Sequence, residues 1–232
     1  MLKKIRYLKY YFGVLYENWT KSKNSYAQHG EDNLIEILLP SGVSSFIDIG
    51  ANDGVLFSNT YKFAKKGAVG LCIEPSNSSF RKLRLNHLFH PAVQCVHSAI
   101  SDRNGLLFLK EEGYECTLSS VSKKEAKGCV KIQAITFDSL LSKFPSFQEI
   151  DLLSVDVEGH EDEVFSGLKN DEFSAKIIVL ESDKSKTSDL LSIPSLKCYE
   201  PICTNGLNTI LFHKMKDLTI PTELPQGFQF IK

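Results

Sequence analysis

The chain has 232 residues, 42% of them apolar, and a formal net charge of −1. That length suits one large domain better than two, and an ordinary apolar share spread along the sequence excludes a disordered or fibrous protein. The near-zero charge gives no global pull toward nucleic acid. No apolar run is long enough to cross a bilayer, and no signal-peptide pattern opens the chain.

The six cysteines, at 72, 95, 116, 129, 198 and 203, form no CxxC or Cys/His cluster. Structural zinc is therefore not expected. Cys72 and Cys95 fall within apolar runs as buried thiols, and a reduced, cytoplasmic protein is expected.

Residues 1–24 stand apart. Lys3, Lys4, Arg6, Lys9, Lys21 and Lys23 face a single acid, Glu17, and are interleaved with Tyr7, Tyr10, Tyr11, Phe12, Tyr16 and Trp19. The pattern predicts a helix. It either packs on its own domain or lies against a protein partner or the inner face of a membrane. Residues 25–232 read as one domain.

"SYAQHGEDNLIEILLP" predicts a short helix with Glu31 and Asp32 in its first turn, ended by Pro40 and Gly42. Phe46–Ile49 is the first core strand. A helix is expected over 58–66, stopped by Gly67. "AVGLCIEP" (68–75) is an unbroken apolar run, the mark of a buried parallel strand. The cap-rich "SNSSFRKLRLNHLF" predicts a helix with Phe80, Leu83 and Leu88 on one face, and "AVQCVHSAIS" the next strand. "GLLFLKEEG" and "CVKIQAI" read as strands bracketing a polar loop through Thr117, Ser119 and Ser120, before a short helix at "TFDSLLSKF". "DLLSVDVEGHEDEVFSGL" and "AKIIVLES" each restart the strand-to-helix pattern, and Asn205-Gly206 marks a closing hairpin. The whole predicts an α/β fold: a doubly wound, mostly parallel, Rossmann-like sheet with a C-terminal antiparallel hairpin.

Three clusters carry chemistry. In "FIDIGANDG", small residues follow Asp48 at the carboxyl end of a strand, where open parallel sheets bind ligands. The spacing is not GxGxxG and no Walker motif is present. Asp48 suits a cationic ammonium or sulfonium rather than a pyrophosphate. Glu74, at the end of the second strand, is placed to accept hydrogen bonds from both hydroxyls of a ribose. "SVDVEGHEDE" then sets Asp156, Glu158, His160 and Glu161 at the end of the fourth strand, with Asp156 and Glu158 on one face. Methyl transfer from a sulfonium to a hydroxyl needs a base for the proton, or a metal to acidify it. His160, Asp156, Glu158 and Glu181 are the candidates.

Three blocks, "SYAQHGED", "FIDIGANDGVLFSNTYKFAKKGAVGLCIEPSNSSFRKL" and "DLLSVDVEGHEDEVFSGL", resemble the FkbM-type methyltransferases. These are class I S-adenosylmethionine-dependent enzymes acting mostly on hydroxyls of sugars and natural products. The resemblance implies that Asp48, Gly50, Asn52 and Gly54 border the methionine end of the cofactor, and that Glu74 holds the ribose. It places Ser98 and Ala99 near the adenine; an acid often stands at that position, and here Asp102 lies nearby. Gln28, Glu31 and Asp32 belong to a helix covering the site, and Asp156 sits near the transferred methyl group. His160 is the first choice of base. In the metal version, Asp156, Glu158 and Glu181 hold Mg²⁺. The expected acceptor is a hydroxylated small molecule or glycan, with residues 106–130 and 185–209 deciding which.

Other readings are a nicotinamide-dependent oxidoreductase, which Asp48 disfavours, and a nucleic-acid methyltransferase, for which the core lacks a basic stripe. A third is a non-catalytic module of the same fold that partners a glycosyltransferase.

Overall fold

A computed structural model describes residue 16 and residues 23–112, 118–122, 128–181, 189–216, 218 and 220–231. Apart from Tyr16, Lys23 and Asn24, the segment predicted as an N-terminal helix lies outside the described residues.

The elements run α1 (Glu31–Leu38), β1 (Ser45–Ile49), α2 (Tyr61–Lys65), β2 (Val69–Ile73), α3 (Asn77–Asn86), β3 (Val93–Val96), β4 (Ala99–Ile100), β5 (Gly105–Glu112), β6 (Leu118–Ser122), β7 (Val130–Ile135), α4 (Phe137–Lys143), β8 (Glu149–Val155), α5 (Glu161–Ser166), β9 (Ser174–Glu181), β10 (Tyr199–Thr204), β11 (Asn208–His213) and β12 (Gln229–Phe230). Eight strands form the main sheet in the order β12-β10-β11-β9-β8-β1-β2-β3. From β3 through β9 the pairs are parallel, and β11, β10 and β12 are antiparallel. This is the predicted doubly wound sheet with its terminal hairpin. The strand order reverses between β1 and β8, which opens a crevice at their carboxyl ends.

Alternation along β1 distributes the core. Ile47 and Ile49 pack with Leu153, Val155, Ile178 and Phe165 on the α4–α5 side. Phe46 packs with Leu34, Ile35, Phe63 and Leu83 on the α1–α3 side. Asp48 shares the face of Phe46, since side chains two apart point the same way. Burying a side chain the size of Phe46 contributes roughly 1.5–3 kcal/mol.

Caps follow the sequence. The Ser76 and Thr136 hydroxyls accept from the amides of Ser79 and Ser139 at the starts of α3 and α4. Gly67, at φ 92, ends α2 with amide bonds back to Ala64 and forward closure from Ala68 to Phe63.

Three expectations are corrected. The single strand predicted over "AVQCVHSAIS" is two: β3 stays in the main sheet, and β4 leaves it to pair with β7 in a second sheet, ordered β4-β7-β5-β6. The polar loop predicted between β5 and β7 contains a strand, β6, with Ser119 and Ser120 paired to Glu111 and Lys110; Thr117 lies outside the described residues. Leu88 lies beyond α3 and is 63% exposed, so it is not part of that helix's buried face.

Candidate active site

A cleft of about 330 Å³ lies over the carboxyl ends of β1, β2, β8 and β9 and beside the chain entering β4. Its described walls carry five carboxylates, Asp48, Glu74, Asp156, Glu158 and Glu181, one histidine, and no lysine or arginine.

Asp48 is buried and accepts a hydrogen bond from Thr60 Oγ1 at 2.6 Å; Ser154 supplies another. Burial outweighs these bonds and raises its carboxyl to about 6. Asn59 donates its Nδ2 to Ser154 Oγ (3.2 Å), which ties the segment before α2 to β8 beneath the cleft.

Past β1 the chain turns sharply. Gly50 has φ 87, and a Cβ there would lie 1.7 Å from the backbone oxygen of Asp156. Asp53 Oδ1 then accepts the amides of Val55 (2.9 Å) and Leu56 (2.8 Å), closing an Asx turn. Gly54, at φ 78, does not line the cleft. A Cβ there would meet Leu83 Cδ1 at 2.5 Å and His87 Nε2 at 2.8 Å, so α3 rather than a ligand excludes a side chain. Gly54, expected at the cofactor, thus stands outside the described cleft wall.

Glu74 is buried in the cleft wall and serves the protein as well. Its Oε2 accepts the Asn52 amide (2.9 Å) and its Oε1 the Ser76 amide (2.6 Å), joining the β1 loop to the start of α3. Asn52 sits at φ 48, and its buried Oδ1 has no partner among the described residues.

Ser98 and Ala99 line the cleft where the chain enters β4; the Ser98 hydroxyl donates to main-chain oxygens of Ala99 and Gln133. Gln28 reaches the cleft from the segment before α1. Glu31, expected at the cofactor, is not in the described cleft wall. Fully buried, it accepts the amides of Asn205 (2.7 Å) and Asn208 (2.6 Å) and the His29 backbone N–H (2.9 Å), locking α1 to the β10–β11 hairpin. Asp32 is likewise buried, holding Ser25 Oγ and the Tyr26 amide.

At the far end, carboxylate oxygens of Asp156, Glu158 and Glu181 all lie within 4.8 Å of one another. Asp156 is open to the cleft, yet the walls around it remove much of its water. That desolvation, then the charge of Glu181 and a hydrogen bond with it, push Asp156 well above the ordinary carboxylate range. Glu158, at φ 54, is raised in the same direction by burial and Glu181.

His160 also borders the cleft, but both ring nitrogens face protein groups. Nε2 lies 3.0 Å from the fully buried Ser101 hydroxyl, and Nδ1 lies 3.4 Å from Glu163 Oε2. This ties the end of β8 to the chain after β4.

Sequence reasoning passed over Leu56, Phe57, Asn59, Ser154 and Asn208, all in the cleft wall. Asn59 stood within the quoted "SNTY" string. The others follow apolar or turn positions that carry no chemical signature.

S-adenosylmethionine brings a sulfonium, an ammonium and two ribose hydroxyls. A cleft rich in carboxylates, with an unpartnered buried amide oxygen and no described cation, suits these donors and positive charges. Fold and site together define a class I S-adenosylmethionine-dependent methyltransferase. The chain belongs to the FkbM methyltransferase family: the methyltransferase FkbM domain matches residues 48–196, well over half of its length.

No curated protein matches the sequence significantly. Among solved structures, the precorrin-6y C5,15-methyltransferase of Geobacter metallireducens is 12% identical, with a TM-score of 0.46 over 83% of this chain and 92% of that one. The putative methyltransferase yhhF of Escherichia coli is 14% identical, with a TM-score of 0.47 over 84% and 88%. An O-methyltransferase of Bacillus cereus in complex with SAH is 10% identical, with a TM-score of 0.45 over 88% of each chain.

Proposed function

We propose that the protein methylates a hydroxyl of a sugar, glycan, glycolipid or related natural product. The observation that carries this reading is the trio Asp156, Glu158 and Glu181, packed within 4.8 Å at one end of an otherwise cofactor-sized cleft. Three such oxygens favour a proton held between them, and Asp156 and Glu181 share one hydrogen bond. A carboxylate whose proton affinity is raised by its surroundings is a stronger base for the proton that the acceptor hydroxyl must lose.

Bound S-adenosylmethionine supplies an electrophilic methyl group on a sulfonium. Asp48 provides the negative charge that favours a cation at the loop, and Glu74 the acceptors for ribose hydroxyls. Ser98 and Ala99 border the adenine. The Asp156–Glu181 pair takes the hydroxyl proton. His160, with both nitrogens turned to Ser101 and Glu163, holds the β8 rim in place in this reading and does not move the proton itself.

The test is Asp156→Asn. Loss of a general base costs about 10²–10⁴-fold in rate, so kcat for labelled methyl transfer to neutral sugars should fall by that factor while S-adenosylhomocysteine affinity is kept. Transfer at the wild-type rate would remove the assignment.

A second reading follows from the same spacing: the trio suits an oxygen-coordinated divalent ion such as Mg²⁺. Activity that collapses with chelator and returns with Mg²⁺ would favour it over the proton-sharing pair.

A further inference from the structure

Phe57 is 52% exposed and its neighbour Leu56 is 42% exposed, and both line the active-site cleft. Among the cleft's apolar lining residues these two are the large side chains left exposed, whereas Ile49, Ile73 and Ile100 are buried. Neither has been relegated there by a slack loop. The Asx turn at Asp53 fixes the amides of Val55 and Leu56, and residue 57 pairs with Ala27 in an isolated parallel bridge. On the far side, Ser58 Oγ accepts the amides of Thr60 and Tyr61. Held at both ends, Phe57 adopts φ 58, a left-handed conformation rare for a bulky residue. Among the described residues no aromatic ring or cation packs on it.

We propose that Phe57, with Leu56, forms the platform on which the acceptor's ring lies, and that this acceptor is an uncharged pyranose-type sugar. The inference rests on the hydroxyl-methylating reading above. A pyranose has an apolar C–H face and a hydroxyl edge. The electron-rich face of an aromatic ring attracts the former, and the carboxylates of Asp156, Glu158 and Glu181 accept hydrogen bonds from the latter. A phosphate or carboxylate on the ring would meet five acids and no described lysine or arginine in the same cleft. An open-chain polyol has the hydroxyls but no face. The platform therefore selects ring over chain, and the acids select neutral over anionic.

The test uses the full chain saturated with S-adenosylhomocysteine. Saturation-transfer NMR is recorded with a panel of methyl pyranosides (gluco, galacto, manno and rhamno), their 6-phosphates where these exist, and sorbitol. At least one methyl pyranoside is expected to show transfer onto its ring C–H protons, with binding roughly five- to tenfold weaker in Phe57→Ala. Phe57→Trp should restore it. Phe57→Gly, which suits a positive φ and so keeps the loop folded, should behave as Phe57→Ala. S-adenosylhomocysteine affinity should stay unchanged in all three variants.

Binding of the phosphates or sorbitol as tightly as the pyranosides would overturn the proposal, as would pyranoside binding that ignores the Phe57 variants. Absence of any pyranoside binding to the loaded protein would do the same. A parallel loss of S-adenosylhomocysteine affinity would assign Phe57 to the cofactor instead. Pyranoside binding without methyl transfer would leave the platform standing and sink only the hydroxyl-methylating reading.

Discussion

The backbone oxygen of Asp156 occupies the space that a side chain on Gly50 would need: a Cβ there would lie 1.7 Å from it. The Asp156 amide also donates to the Ile49 oxygen at 3.0 Å. The bareness of the loop after β1 is thus set first by β8, whose backbone crosses Gly50 and carries Asp156 into the cleft. The loop after β1 and the rim after β8 are one packed unit.

Gly50→Ala should therefore cost more than a left-handed alanine alone. Strain of about 1–3 kcal/mol adds to a clash with main chain, which has no flexible end to move. Urea denaturation should show a loss of at least about 3 kcal/mol or no folded protein. A midpoint close to wild type would mean that β8 can retreat from the loop.

Glu74 holds the Asn52 and Ser76 amides and, in the proposed reading, the ribose as well, so two substitutions should separate these roles. Glu74→Ala leaves the Asn52 and Ser76 amides without their acceptor and should cost about 1–3 kcal/mol for each that stays buried. Glu74→Gln keeps the shape and an acceptor oxygen. Its NH₂ cannot accept from the second amide, so it should cost less stability than Glu74→Ala, about 1–3 kcal/mol, while weakening S-adenosylhomocysteine about tenfold, because the charge-assisted bonds are gone. Unchanged affinity in Glu74→Gln would end the ribose assignment.

With a cation beside Asp48, as proposed, cofactor affinity should depend on pH. The Asp48 carboxyl is raised to about 6 by burial, so below that pH it must give up a proton to face a cation. The Kd for S-adenosylhomocysteine should rise as pH falls from about 6, approaching tenfold per unit. The sign for folding is opposite: a raised carboxyl penalises the folded state above pH 6, and the penalty disappears as pH falls toward the ordinary value of 3.8. Asp48→Asn should flatten the binding profile between pH 4 and 6. A slope that survives this substitution would point to another group.

His87 is a source of acid lability outside the cleft. It is packed against Tyr61 and His90, with Nε2 3.9 Å from Cys72 Sγ and Nδ1 without a partner among the described residues. Burial, then His90, lowers it from 6.5 to about 3. In that window the unfolded chain binds a proton that the folded one does not. Its contribution is intact above pH 6.5 and is lost as pH falls, by up to about 1.4 kcal/mol per unit. His87→Phe should reduce the slope of unfolding free energy between pH 6.5 and 5. An unchanged slope would show that the ring is hydrated.

The sequence by itself determined the parallel sheet, the crevice at its carboxyl edge and the closing hairpin, because alternation, apolar runs and turn residues such as Asn205-Gly206 are properties of neighbours along the chain. It also marked Asp48, Glu74 and Asp156, since a charge at the end of an apolar strand is visible without coordinates. Only the tertiary structure decided how those groups are used. Glu31 and Asp156 are both acids beside turns, yet Glu31 is satisfied by three donors from its own chain while Asp156 stands in the cleft against another acid, Glu181. Gly50 and Gly54 look alike in "GANDG", but one is bared by the backbone of β8 and the other by Leu83 and His87 of α3 and its end. Nothing in the sequence marks Phe57 or Leu56 for the cleft mouth, where the fold leaves them exposed. The physical reason is common to all of them: whether a side chain is packed, paired or left for a ligand depends on atoms brought together from far along the chain, and local pattern carries no record of those.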